Sequence, residues 1–95
     1  MAAYIYANVE VTDPAAYEAY RREVPALIAA HGGRYLVRGG NTEVLEGDGA
    51  PQRQVILEFP TMAQLQAFYR APEYQRLIKV RQAASRGTLF AIEGA

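Results

Sequence analysis

The sequence predicts an α+β fold, a four-stranded antiparallel sheet with helices on one face. Three observations lead there. Hydropathy alternates with period two in segments near both ends and in the middle of the chain. Apolar stripes with a 3.6-residue period fill the stretches between them. Proline and glycine punctuation separates one kind of segment from the other. The resulting order is β-α-β-β-α-β, with the second helix broken in two.

The first strand runs from Ala3 to Val11. Ile5, Ala7, Val9 and Val11 form one set, and Tyr4, Tyr6, Asn8 and Glu10 the other, so the strand has two unlike faces. Asp13 can cap the next helix, and Pro14 suits a first turn whose N–H would be orphaned anyway. From Pro14 to about Gly32, Tyr17, Tyr20, Val24, Leu27, Ile28 and His31 share one stripe. Pro25 lies off that stripe, which predicts one kinked helix rather than two. Gly32-Gly33 ends it. Arg34 to Gly47 admits a tight hairpin at Gly40-Asn41 or one extended strand bent at Gly39-Gly40; the stronger turn signal at 47–52 favours the bent strand, with a partner strand from Arg53 to Phe59. Thr61-Met62-Ala63-Gln64 is a capping box opening a helix with Met62, Leu65, Phe68 and Tyr69 on its stripe. Ala71-Pro72 breaks this helix. A further helix restarts at Pro72 with Tyr74, Leu77, Ile78, Arg81 and Ser85 on its stripe. Gly87 is expected to end it, and Thr88 to Glu93 to form the last strand. This order defines a ferredoxin-like protomer in a single domain, residues 1–95.

Composition narrows the function classes. The chain is 95 residues long, 51% apolar and 21% charged, which excludes whole-chain disorder. There is no Cys, so thiolate metal sites, iron–sulfur clusters and thiol nucleophiles are excluded. A single His leaves little for a transition metal, and no metal or cofactor is expected. Ten basic residues balance ten acidic ones, which disfavours nucleic acid and anionic membrane as partners. No apolar run approaches the ~20 residues that cross a bilayer, and a cytoplasmic location is the expectation. Only Lys79 among the basic residues is not Arg, and Arg suits fixed, planar contacts with carboxylates. There is no phosphate loop, dinucleotide fingerprint or nucleophile elbow. Gly47-Asp48-Gly49 resembles a fragment of a calcium loop but lacks the remaining ligands, so it reads as a turn.

The open sheet face would show Tyr4, Tyr6 and residues such as Ile56 or Phe90 to solvent. That is a larger apolar patch than a monomer usually tolerates, and a second copy related by twofold symmetry would cover it. The predicted assembly is a homodimeric α+β barrel.

Longer motifs carry a resemblance. Val11-Thr12-Asp13-Pro14 with Tyr17 and Tyr20 is followed by Gly32-Gly33-Arg34-Tyr35-Leu36-Val37-Arg38-Gly39-Gly40. Further on come Glu46-Gly47, Pro51-Gln52-Arg53, Glu58-Phe59-Pro60, Tyr69, Pro72-Glu73-Tyr74 and Arg81. In this order they resemble the bacterial domain-of-unknown-function family 1330 (DUF1330), within the dimeric α+β barrel superfamily. One departure is Ala71, where the family usually carries Ser and hence a cap hydroxyl. The resemblance implies a ferredoxin-like protomer and a dimer, and no established activity. Superfamily relatives include cofactor-independent monooxygenases and muconolactone-isomerase-like and chlorite-dismutase-like proteins, a kinship of fold only.

Candidate site residues follow from chemistry. His31 and Glu58 are the candidate acid/base groups, and each also has a structural reading: a packed His near a helix C-terminus, and a carboxylate paired with Arg38 or Arg53. Arg38 beside Gly39-Gly40 is the candidate anion clamp, or the partner of Glu46 or Glu58. Arg81 lies on an apolar stripe and needs either an ion-pair partner or a snorkelling path to water. Tyr69 and Tyr74 flank the helix break as candidate binding residues or core rings. Tyr6 and Asn8 would line the barrel interior. Two functions stay open. One is a small-molecule pocket in the barrel interior, taking an anionic ligand with cofactor-independent acid/base or oxygenase-like chemistry; it requires a cavity of about 300 Å³ or more. The other is a non-enzymatic homodimeric binding or structural module, whose polar groups pair among themselves.

Overall fold

Alternation in the first segment becomes β1 (Ala3–Val11), whose Ala3, Ile5, Ala7 and Val9 are buried. The structure, a computed structural model, describes residues 1–95. α1 (Pro14–Ala30), β2 (Arg34–Arg38), β3 (Arg53–Phe59), α2 (Met62–Arg70), α3 (Pro72–Ala84) and β4 (Ser85–Glu93) follow in the expected order. The sheet order is β2-β3-β1-β4, and every neighbouring pair is antiparallel. Opposite residues share a face, so Ala3, Phe59, Ile5, Leu57, Ala7 and Val55 all look toward the helices. The molecule measures 35 × 34 × 16 Å, the thickness of one sheet and one helix layer.

Side-chain caps hold the N-termini of α1 and α2. Asp13 Oδ1 accepts from the Ala16 N–H at 3.1 Å, and α1 runs unbroken through Pro25. Thr61 caps α2 by accepting from Gln64 N–H at 3.1 Å. The reciprocal half of the expected capping box is missing. Gln64 Nε2 instead donates to the His31 carbonyl at 3.4 Å, tying α2 to the end of α1. α3 starts at Ala71 without a side-chain cap. Phe59, Phe68 and Leu77 are fully buried at the centre of the core, with the Phe68 ring 4.3 Å from that of Tyr74 and 5.3 Å from that of Phe59.

Two expectations are corrected here. The second strand does not reach Gly47. It stops at Arg38, and residues 39–52 are irregular and almost wholly exposed. Gly39 takes φ +69°, a left-handed value that turns the chain out of the ladder after its N–H has bonded to the Gln54 carbonyl at 2.8 Å. The irregularity within the strand lies earlier, as a bulge between Tyr35 and Val37. The last strand begins at Ser85, not Thr88, so Gly87 does not end a helix. It pairs with Val9, and a Cβ there would overlap the Asn8 carbonyl oxygen. Gly87 is needed for close approach of two backbones.

The face away from the helices carries Tyr4, Tyr6, Asn8, Ile56, Glu58, Phe90 and Ile92. Phe90 is 56% exposed and Ile92 51%, and Tyr6 stacks on Phe90 with centroids 6.3 Å apart.

Candidate functional site

The bulge in β2 decides where the cationic residues gather. Tyr35 pairs with Leu57 on the helix side, and regular alternation would send Arg38 to the open face. The extra residue reverses the parity. Val37 therefore pairs with Ile56, and Arg38 with Val55, on the face that Tyr35 occupies. The Arg38 guanidinium carbon lies 4.3 Å from the Tyr35 ring centroid, within cation–π range. At the start of β3, Arg53 pairs with Val9 and has the same inward parity as Val55 and Leu57. Its guanidinium lies over Gly39, where any Cβ would collide with Nη1.

Arg81 comes from the last turn of α3. Ser85 Oγ donates to its carbonyl at 2.5 Å, and the Ala84 carbonyl accepts from the Thr12 and Asp13 N–H groups at 2.9 and 3.0 Å. These bonds pin the end of α3 to the exit of β1. The Arg81 side chain is only 6% exposed and forms no ion pair. The Nε atoms of Arg53 and Arg81 are the two buried side-chain polar atoms without a protein partner.

Arg21, Arg38, Arg53 and Arg81 line one cavity of about 50 Å³ between the sheet and the helices. Its other polar groups belong to tyrosines, Tyr17, Tyr20, Tyr35 and Tyr74; no carboxylate, imidazole or side-chain amide reaches it. A groove of about 180 Å³ adjoins it, sharing Tyr17, Arg21 and Arg53 and also lined by Glu18, which pairs with Arg21 at 3.4 Å. The cavity is far smaller than the ~300 Å³ of a drug-sized site. Deep inside, the Tyr20 and Tyr74 hydroxyls share a hydrogen bond of 2.8 Å, and the Arg81 guanidinium carbon is 5.9 Å from the Tyr20 ring centroid. Burial pushes both hydroxyls above the ordinary phenol range, with Arg81 pulling each the other way. Burial likewise raises Tyr35, opposed by Arg38. All three phenols are held neutral, so the cavity offers donors and cations and no general base.

The sheet divides the residues expected to share one chamber. Arg38, Arg81 and Tyr74 line the helix-side cavity, whereas Tyr6, Asn8 and Glu58 lie on the opposite face. The open face therefore contains no cavity with Arg38 in it, because the bulge moved Arg38 to the other side. Glu58 accepts from Arg34 Nε at 2.7 Å and from the Tyr4 hydroxyl at 3.2 Å. Asn8 Oδ1 accepts from the Gln52 N–H at 2.9 Å and so anchors the return of the exposed loop. His31 caps α1 with Nδ1 2.9 Å from the Leu27 carbonyl and its ring edge-on to Phe68, outside the cavity. Tyr69 lies in a separate groove of about 200 Å³ between α2 and β4, edge-on to Tyr74. Sequence reasoning passed over Arg53 and Tyr20 as site residues. The signal for Arg53 was its parity with Val55, Leu57 and Phe59; that for Tyr20 was its polar tip on a buried stripe.

Fold and site together define a ferredoxin-like α+β protein with a cationic cavity between its layers. Among solved structures, the RPA0582 protein of unknown function from Rhodopseudomonas palustris is similar, with a TM-score of 0.81 at 23% identity over 99% of this chain and 82% of that one. A dimeric ferredoxin-like protein of unknown function from Jannaschia sp. CCS1 aligns with a TM-score of 0.65 at 18% identity, over 99% of this chain and all of that one. SnoaB, a cofactor-independent oxygenase from Streptomyces nogalater, aligns with a TM-score of 0.66 at 13% identity, over 99% of this chain and 93% of that one. No curated protein matches the chain. The chain belongs to the family described as a domain of unknown function, DUF1330, whose model matches residues 2–95.

Proposed function

We propose that the protein binds a small organic anion, a carboxylate with few heavy atoms, in the helix-side cavity of each protomer of a homodimer. Arg81 carries this reading. A guanidinium that is 6% exposed, without an ion pair and lining one cavity with a second arginine whose Nε is also unpartnered, is costly to keep empty-handed. A carboxylate entering past Arg21 and Arg53 would meet the fork geometry that arginine pairs best. The cavity's lack of any carboxylate or imidazole favours binding over proton abstraction, the step that acid/base or oxygenase-like chemistry on an unactivated substrate would need first.

The homodimer is supported by the bare sheet face with its exposed Phe90 and Ile92 and by the dimeric state of the Jannaschia relative. In this assembly the open faces meet, and the anion sites lie on the far side of each sheet. A cytoplasmic setting is part of the same reading and rests on the cysteine-free composition. No helix is long and apolar enough to cross a membrane.

Butyrate titrated into the protein, followed by thermal unfolding, tests the proposal. The unfolding temperature should rise with butyrate and not with equal ionic strength of chloride, as linkage requires of a native-state ligand. Arg81→Met should abolish the rise. No butyrate effect in the wild type, or one that survives in Arg81→Met, would overturn the reading.

A further inference from the structure

We propose that the ligand is a 2-oxo acid, its carboxylate on the cavity arginines and its neighbouring carbonyl oxygen on the Tyr20–Tyr74 hydroxyl pair. This rests on the anion-binding reading and goes further by naming the second group recognised. Two hydroxyls that share one hydrogen bond use one proton between them, so the other O–H remains to be given away. Tyr20 and Tyr74 are both buried, and neither hydroxyl has another protein partner. The free proton is therefore buried, on one of two rings that line the cavity together with Arg81, whose guanidinium carbon is 5.9 Å from the Tyr20 ring centroid. Burial keeps both phenols protonated, so the pair acts as a donor.

The rest of the lining sets what the ligand must lack. Every polar side chain there is an arginine or a tyrosine, and an ammonium group inside would meet guanidinium groups and no carboxylate, since Glu18 lies in the adjoining groove on Arg21. An amino acid is thus disfavoured by charge, and a plain carboxylate must divide its two oxygens between the arginines and the tyrosine proton. A carbonyl next to the carboxylate supplies an acceptor for that proton and adds no donor. The cavity of about 50 Å³ admits only the carboxylate and carbonyl end of such an acid, and the adjoining groove of about 180 Å³ takes its carbon tail.

Three acids of one length separate the terms: butyrate, 2-oxobutyrate and 2-aminobutyrate, titrated into the intact protein by calorimetry or NMR. 2-Oxobutyrate should bind about tenfold or more tighter than butyrate, because a site built to donate a hydrogen bond rejects the analogue lacking the acceptor. 2-Aminobutyrate should bind more weakly than butyrate. In Tyr20→Phe/Tyr74→Phe the advantage of 2-oxobutyrate should vanish while butyrate affinity holds. The double variant is needed because either tyrosine alone can still donate. Equal binding of butyrate and 2-oxobutyrate would overturn this inference and leave the anion site standing; binding of neither acid would overturn both. If the double variant fails to fold, the wild-type ratio alone decides.

Discussion

Arg81 shows how one residue can be legible in type and still hidden in role. Its place on the stripe with Tyr74, Leu77 and Ile78 marks it as a charge on a buried face, and burial is what the structure shows. What the stripe alone left open was its partner, since an ion pair, a snorkelling path and a ligand all fit the same pattern. Without an ion pair, Arg81 is a cation only 6% exposed whose Nε has no protein partner. Arg81→Met keeps the aliphatic stem and removes that charge, so it should stabilise the ligand-free protein by about 1 kcal/mol or more. Calorimetry would register this as a rise of roughly 4–8 °C per kcal/mol in a domain of this size. A fall in unfolding temperature would mean that Arg81 has a protein partner after all. The tyrosine pair sits at the same scale. Removing one hydroxyl strands the other, whereas removing both replaces two polar groups with shape-matched apolar ones. Glu58 went the other way: its ion pair with Arg34 and bond from Tyr4 occupy both carboxylate oxygens.

At the scale of elements, the reading of β1, β3 and the two-part second helix was recoverable because each repeats its own period over seven or more residues. β2 and β4 were harder. β2 has five residues and a bulge, too few to establish a phase before the phase changes. The boundary of β4 was displaced because Gly87 looks like a helix stop, while its requirement is contact with a neighbouring strand. Gly87→Ala sets a Cβ against the Asn8 backbone carbonyl, which cannot rotate away as a side chain would. It should cost about 1–3 kcal/mol, the usual range for overpacking, measured by urea unfolding. Gly40→Ala is the control: a Cβ there meets nothing within 4 Å, so its effect should stay within about 0.5 kcal/mol.

For the whole molecule, the decisive feature is that one sheet separates the arginine-lined cavity from the bare apolar face. Tyr6 is on the bare face, stacked on Phe90, and Tyr6→Lys would place a charge in the proposed dimer contact. Sedimentation should show the variant shifted to monomer, while butyrate still raises its unfolding temperature, because the cavity lies on the other side of the sheet. A dimeric variant would refute the assignment of that face. The tyrosines also set an alkaline limit. Phenols with pKa values raised on folding bind their protons more tightly in the native state than in the unfolded one. Above about pH 10 the unfolded chain therefore holds fewer protons, and stability falls as pH rises. Denaturant midpoints should be flat below that pH and decline above it, and the 295 nm phenolate absorbance of Tyr20 and Tyr74 should appear only as the chain unfolds.

By itself the sequence determined the class of fold, the element order and the existence of two greasy sheet faces, since periodicity and turn chemistry act over a few neighbouring residues. Only the tertiary structure decided which face each charged residue joins. One inserted residue in β2 carries Arg38 across the sheet, and strand pairing brings Arg53 within the same cavity as Arg81 from positions 28 residues apart. Such convergence depends on register between distant segments, and no local pattern encodes it.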